Sequence, residues 1–182
     1  MQPSISARER LPSRPDEPDP RIGTKVKSER PFRSVVLLRD FVAESAGEHR
    51  AVAELLKEAE QFLTSHAWCP GIRQSFVGFA VGEVVGVFLF ELTKPLGTGD
   101  EFLWVVVGDL PSAYFVVDRT ESPREALERY CELMRAWVDA IEQRGSLTGV
   151  YPVQAPPTLD NARLLASRLE FIEETLLPVV PD

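Results

Sequence analysis

Apolar residues recur along this chain in two rhythms, and the change from one to the other marks out its elements. Val52, Leu55, Leu56, Ala59, Phe62 and Leu63 follow one another at steps of three and four, with Glu54, Lys57, Glu58 and Glu60 between them, which is the stripe of an amphipathic helix. Ser45 and Glu48 have the spacing of a capping box, so the helix is expected to begin there and to run to about His66. After Pro70-Gly71 the rhythm shortens. Residues 76–81 and 84–92 read as strands joined across Gly82-Glu83, a glycine-first pair suited to a II′ hairpin turn. The second of these, VVGVFLFEL, is apolar on both faces and so belongs at the centre of a sheet, while Gly78 and Gly86 point to a bulge or a close backbone approach.

Residues 94–100, with Pro95, Gly97 and Gly99, form a loop. Two further β-rich runs then flank the turn Gly108-Asp109-Leu110-Pro111-Ser112, and four strands with short connections make an antiparallel meander. Ser122-Pro123-Arg124-Glu125 starts a second helix, with Leu127, Tyr130, Met134, Trp137 and Ile141 on its buried stripe and Gly145 as its C-cap. The stretch 149–157 must be extended, because its prolines fix φ, and it is expected along the sheet edge. Thr158 caps a last helix carrying Ala162, Leu165, Leu169, Ile172 and Leu176, ended by Pro178. The expected fold class is therefore α+β, a four-stranded antiparallel meander packed with three helices in the order α-β-β-β-β-α-α. Residues 33–42 lead in as a short edge strand or an extended segment.

Composition adds a boundary. Residues 1–32 hold six of the fifteen prolines and twelve charges, so they are expected to form a disordered tail, leaving 33–182 as one domain. The tail has seven basic residues against five acidic, whereas the rest has 13 against 23. A net charge of -8 for the whole chain, and of -10 beyond the tail, argues against a nucleic-acid backbone as partner and suits a basic protein. No apolar run is long enough for a membrane span, and two cysteines make no disulfide framework; both suggest a cytoplasmic setting.

Candidate chemistry is sparse. Nucleophilic catalysis needs a base beside an activated side chain, and the chain has only His49 and His66 as imidazoles. His66 and Cys69 stand three apart, without an orienting carboxylate or a glycine-rich oxyanion element, and Cys131 belongs to the core. One His-x-x-Cys pair falls short of a zinc spacing, Gly97-Thr98-Gly99 leads into a strand rather than a helix N-terminus, and no cofactor is implied. Glu91 and Glu101 stand near opposing strand ends, where solvated rim charges are the plain reading. Asp109 stands where two strands end and is most simply a turn residue that accepts backbone N–H bonds. Trp68 and Tyr151 lie in loops and are the exposed aromatic candidates for binding, whereas Trp104 alternates with Phe102 and Val106 and faces a helix.

Trp68-Cys69, the turn Gly108-Asp109-Leu110-Pro111-Ser112-Ala113-Tyr114 and Pro123-Arg124-Glu125-Ala126 together resemble an uncharacterised family of small bacterial proteins. Its members carry Trp-Cys, a Gly-Asp-Leu-Pro-Thr-Asp-Tyr turn and a Pro-Arg-Glu-Ala helix start. Here Ser112 and Ala113 replace the Thr and Asp of that turn. The resemblance singles out Asp109 and Tyr114 and implies no reaction. Charge and the poverty of catalytic groups point to a non-enzymatic acidic binding protein, of the immunity or antitoxin kind, masking a basic partner. The alternatives are a small-ligand protein or enzyme using Asp109, Tyr114 and Cys69 at one end of the sheet, and a homo-oligomeric scaffold built through a strand edge.

Overall fold

A computed structural model of the chain describes residues 32–118 and 120–182, and the tail expected over 1–32 lies outside them except for Phe32. The elements follow the expected order: α1 (Ala46–Thr64), β1 (Ile72–Val81), β2 (Val85–Leu92), β3 (Phe102–Gly108), β4 (Ala113–Val116), α2 (Pro123–Glu142) and α3 (Leu159–Phe171). The four strands form one antiparallel meander in the order β1-β2-β3-β4.

Helices cover both faces of this sheet. Val77, Ala80, Phe88, Phe90, Leu92, Leu103, Val105 and Val107 point to one side and meet Val52, Leu55, Leu56, Ala59 and Leu63 of α1. Phe76, Val85, Val87, Leu89, Trp104 and Val106 point to the other and meet α2, onto which α3 packs in turn. β2 and β3 are buried on both faces because the sheet is sandwiched, which explains the continuous apolar run of β2. Each large aliphatic or aromatic side chain buried in this way contributes about 1.5–3 kcal/mol.

Glycines permit the closest approaches. Gly78 sits in a register shift between Val77 and Phe79, and a Cβ there would stand 2.9 Å from Pro123 at the start of α2. At Gly86 a Cβ would collide with the ring of its neighbour Phe88 at 2.4 Å. Both glycines therefore do what the sequence suggested.

Several boundaries differ from expectation. β1 begins at Ile72 rather than residue 76, because Arg73, Gln74 and Ser75 lie on an outer strand whose polar side chains carry no apolar alternation. The hairpin closes with the Val84 N–H on the Val81 carbonyl (3.0 Å), but Val81 pairs with Val85, so Val84 is an extra residue. The lead-in is extended only in part: it touches β1 through one antiparallel bridge, Val36 to Val77, with N···O distances of 2.9 and 2.7 Å, and then winds into a 3-10 helical turn over Leu38–Asp40. Phe32, assigned to the tail by composition, packs tilted against Phe102 at 4.8 Å and edges Trp104 at 6.4 Å.

Helix ends show the same sort of local correction. Ser45 caps α1 through the Glu48 N–H (3.1 Å), and the Ser122 and Glu125 capping box of α2 is complete. At the other end of α2 the left-handed residue is Arg144 (φ 52°), not Gly145. The Gly145 N–H bonds to the Ala140 carbonyl (2.7 Å) and that of Arg144 to Ile141 (3.1 Å), the two bonds of a Schellman motif displaced by one residue. α3 stops at Phe171 and passes into a π-helical turn over Ile172–Leu176, held by a forked Arg135–Glu173 pair at 2.7 and 3.3 Å. That wider turn keeps both Ile172 and Leu176 buried, and the run ends one residue past the expected Pro178, in a 3-10 turn over Leu177–Val179.

Candidate functional site

The turn between β3 and β4 is fastened from three sides. Gly108 has φ +133°, and a Cβ on it would stand 2.3 Å from the Val84 carbonyl oxygen, so this position requires glycine. That closeness brings the Asp109 N–H onto the same carbonyl at 3.0 Å, which the extra hairpin residue leaves free of the strand ladder. From below, the buried Tyr130 hydroxyl donates to the Pro111 carbonyl (2.9 Å), and burial raises its pKa. From α3, Arg168 donates through Nε to the Asp109 carbonyl (2.7 Å) and through one terminal nitrogen to both carboxylate oxygens (3.0 and 3.2 Å). Asp109 is thus an exposed carboxylate that accepts from a guanidinium rather than from backbone N–H groups.

A groove of about 400 Å³ opens at this turn. Leu110, Pro111, Val153 and Leu164 supply apolar wall, and Asp109 and Arg168 supply charge. The pairing of Arg168 with Asp109, 59 residues apart in sequence, was not legible from local pattern. A basic residue in the last turn of a helix ordinarily reads as a dipole partner.

Tyr114 and Trp68 come together elsewhere. The Trp68 and Tyr114 rings lie 4.8 Å apart, and His66 stands 5.4 Å from Trp68 and 4.9 Å from Tyr114, with Phe62 behind at 5.1 Å from His66. Trp68 is the exposed member and lines a cleft with Pro70, Pro95 and Leu96. Half-buried Cys69 follows it, its N–H on the His66 carbonyl at 2.9 Å. His66 Nδ1 donates to the Phe62 carbonyl at 2.9 Å, so the imidazole is held in place along its own helix. No hydrogen bond joins the Cys69 thiol to that ring among the described residues.

Tyr151 is not the exposed aromatic expected of a loop. Half-buried against the α2 side of the core, its hydroxyl accepts from the Tyr114 N–H (3.0 Å) and donates to the Tyr114 carbonyl (3.3 Å), and burial raises its pKa. One phenol thereby satisfies both outward polar groups of Tyr114, while the segment 149–157 is not extended throughout as expected: Gly149 sits in a turn at φ +79°, the chain bends at Gln154 and Ala155, and β4 is met through Tyr151. Asp109 and Tyr114 line no common cavity, since the groove at Asp109 runs toward α3 and the Tyr114 ring packs on the α1 side.

The remaining candidates are occupied in simple ways. Glu91 pairs with Arg73 at 2.8 Å rather than with Glu101. Cys131 is buried on α2, and its burial, with the Glu173 carboxylate nearby, pushes the thiol up to about 12. No group of three His, Cys, Asp or Glu fit to hold a metal ion occurs among the described residues. Among those residues, too, no helix is long and apolar enough to cross a membrane.

Acidic side chains gather in two grooves. Glu54, Glu58 and Glu83 line one on the α1 side with Lys57, and Asp118, Glu125, Glu128 and Glu132 line another, between β4 and α2, with Arg129. No family model matches the chain, and no curated protein and no solved structure is significantly similar to it. The family resemblance of the turn rests on its motifs alone.

Proposed function

We propose that this protein is a non-catalytic binding domain that engages a basic protein partner through its carboxylate-lined surface, in the manner of an immunity or antitoxin protein. The observation that carries this reading is the two acidic grooves, among the described residues seven carboxylates against Lys57 and Arg129, on a domain whose His66 imidazole is held by a backbone carbonyl and whose thiols are buried or half-buried. Charges lined up along a groove attract a complementary partner at a distance and fix its register.

The test is affinity capture of partners by the full chain at low and high salt, followed by titration of the retained protein against two charge-reversal variants, Glu54→Lys/Glu58→Lys and Glu128→Lys/Glu132→Lys. A stoichiometric basic partner whose binding weakens steeply with salt and with at least one reversal is the expected result. Binding that ignores both salt and reversals would overturn the reading.

A second reading is favoured by the groove beside Asp109, whose volume of about 400 Å³ lies within the ordinary range for small-molecule sites. It takes the turn as a ligand site with Leu110, Val153 and Leu164 as apolar floor and the Asp109–Arg168 pair as polar rim. A metabolite that raises Tm for the wild type and not for Leu164→Glu supports this reading, and one that raises it equally for both counts against it.

A further inference from the structure

We propose that residues 21–30 of this same chain dock, in extended form, on the open end of β4 and in the acidic groove beside it. The contact is intramolecular and fills one of the two acidic grooves named for a partner, leaving the groove of Glu54, Glu58 and Glu83 for it, and links within the chain are read with no partner present.

The sheet edge is the starting point. Tyr114 turns its backbone groups away from β3, toward Tyr151, and the two-residue period of a strand turns those of Val116 outward as well. Val116 is exposed and forms one wall of a groove of about 430 Å³. The opposite wall is the outer face of α2, with Glu125, Glu128, Arg129 and Glu132, and Asp118 lies at its end. Among the described residues, four carboxylates line this groove with one guanidinium, and Arg129 already donates to Glu132 at 2.9 Å. An extended backbone with basic side chains is the occupant that complements such a place.

The chain carries such a stretch just ahead of Phe32 in sequence. Residues 21–30, RIGTKVKSER, hold Arg21, Lys25, Lys27 and Arg30 against the single acid Glu29. Ile22, Thr24, Val26 and Ser28 alternate with Lys25 and Lys27, the period of a strand with one charged side. The tether ends at the groove. Phe32 packs against Phe102, and the Arg33 N–H donates to the Glu121 carbonyl at 3.0 Å, one residue from Thr120, which lines the groove. From Phe32 back to Ser28 an extended chain spans up to about 14 Å. So short a connection gives the segment an effective concentration of order millimolar, which a free basic peptide does not have.

Zero-length carbodiimide cross-linking of the dilute full chain, read by mass spectrometry, tests this. Lys25 or Lys27 should link to Asp118, Glu128 or Glu132 within one chain. The links should disappear at about 1 M salt, where the Debye length is about 3 Å. The links to Asp118 should also disappear, without loss of folding, in Glu128→Lys/Glu132→Lys, whose changes are at exposed positions of the groove wall. Three results would each overturn the proposal: links from these lysines to Glu54 or Glu58, links between chains in a mixture of isotope-labelled and unlabelled protein, and no link while Lys57 still reacts with its helical neighbours.

Discussion

Replacing Gly108 by alanine tests the central turn most directly. The new Cβ would stand 2.3 Å from the Val84 carbonyl oxygen and 2.8 Å from the carbonyl carbon, both backbone atoms that no rotamer change can move. At φ +133° an L-residue is also strained, by about 1–3 kcal/mol. Moving the chain to relieve the contact breaks the Asp109 N–H bond to the same carbonyl, about 1 kcal/mol more. A total of about 2–4 kcal/mol lowers Tm by about 5–15 °C for a domain of this length. Gly97→Ala is the internal control, since nothing stands within 4 Å of its added Cβ, and it should change stability by less than about 0.5 kcal/mol. Thermal unfolding followed by circular dichroism reads both. Equal Tm values for the two variants would refute the account of the turn, and with it the account of how Asp109 is aimed.

Tyr151→Phe keeps the ring and removes the hydroxyl that bonds both polar groups of Tyr114; we expect a loss of about 1 kcal/mol and faster hydrogen exchange of the Tyr114 amide, and unchanged exchange there would contradict the edge geometry. Stability should also fall in alkali. Burial raises the Cys131 thiol from its ordinary 9.0 to about 12, so below pH 9 both folded and unfolded chains hold the proton, and above it the unfolded chain releases it first. The loss should build up from pH 9 toward 12, Tyr151 and Tyr130 adding to it above pH 10, and Cys131→Ala should be less sensitive in urea titrations over that range.

The order of elements was legible because each carries its own period: three-four steps in α1, α2 and α3, two-residue alternation or continuous burial in the strands. What escaped depends on contacts across the fold. The start of β1 is hidden in polar residues because an outer strand does not need an apolar face there. Arg144 takes the left-handed place ahead of Gly145 because two carbonyls of the last turn decide it, not composition. At the candidate site, Gly108 and Asp109 stood out from turn chemistry, but Arg168 and the role of Tyr151 come from residues 59 and 37 positions away. No window along the sequence contains them.

Among the described residues, each border of the sheet is held at one residue. At β1 the pin is the backbone of Val36, and at β4 it is the oxygen of Tyr151. The two guards differ in what drift they survive. Backbone can be supplied by almost any residue that follows the same path, so position 36 is free to change its side chain, whereas position 151 depends on one hydroxyl at one reach. Loss of that oxygen frees the backbone of Tyr114 beside the outward groups of Val116, so the last strand becomes the longer template for other chains, and self-assembly would start from β4 and not from β1.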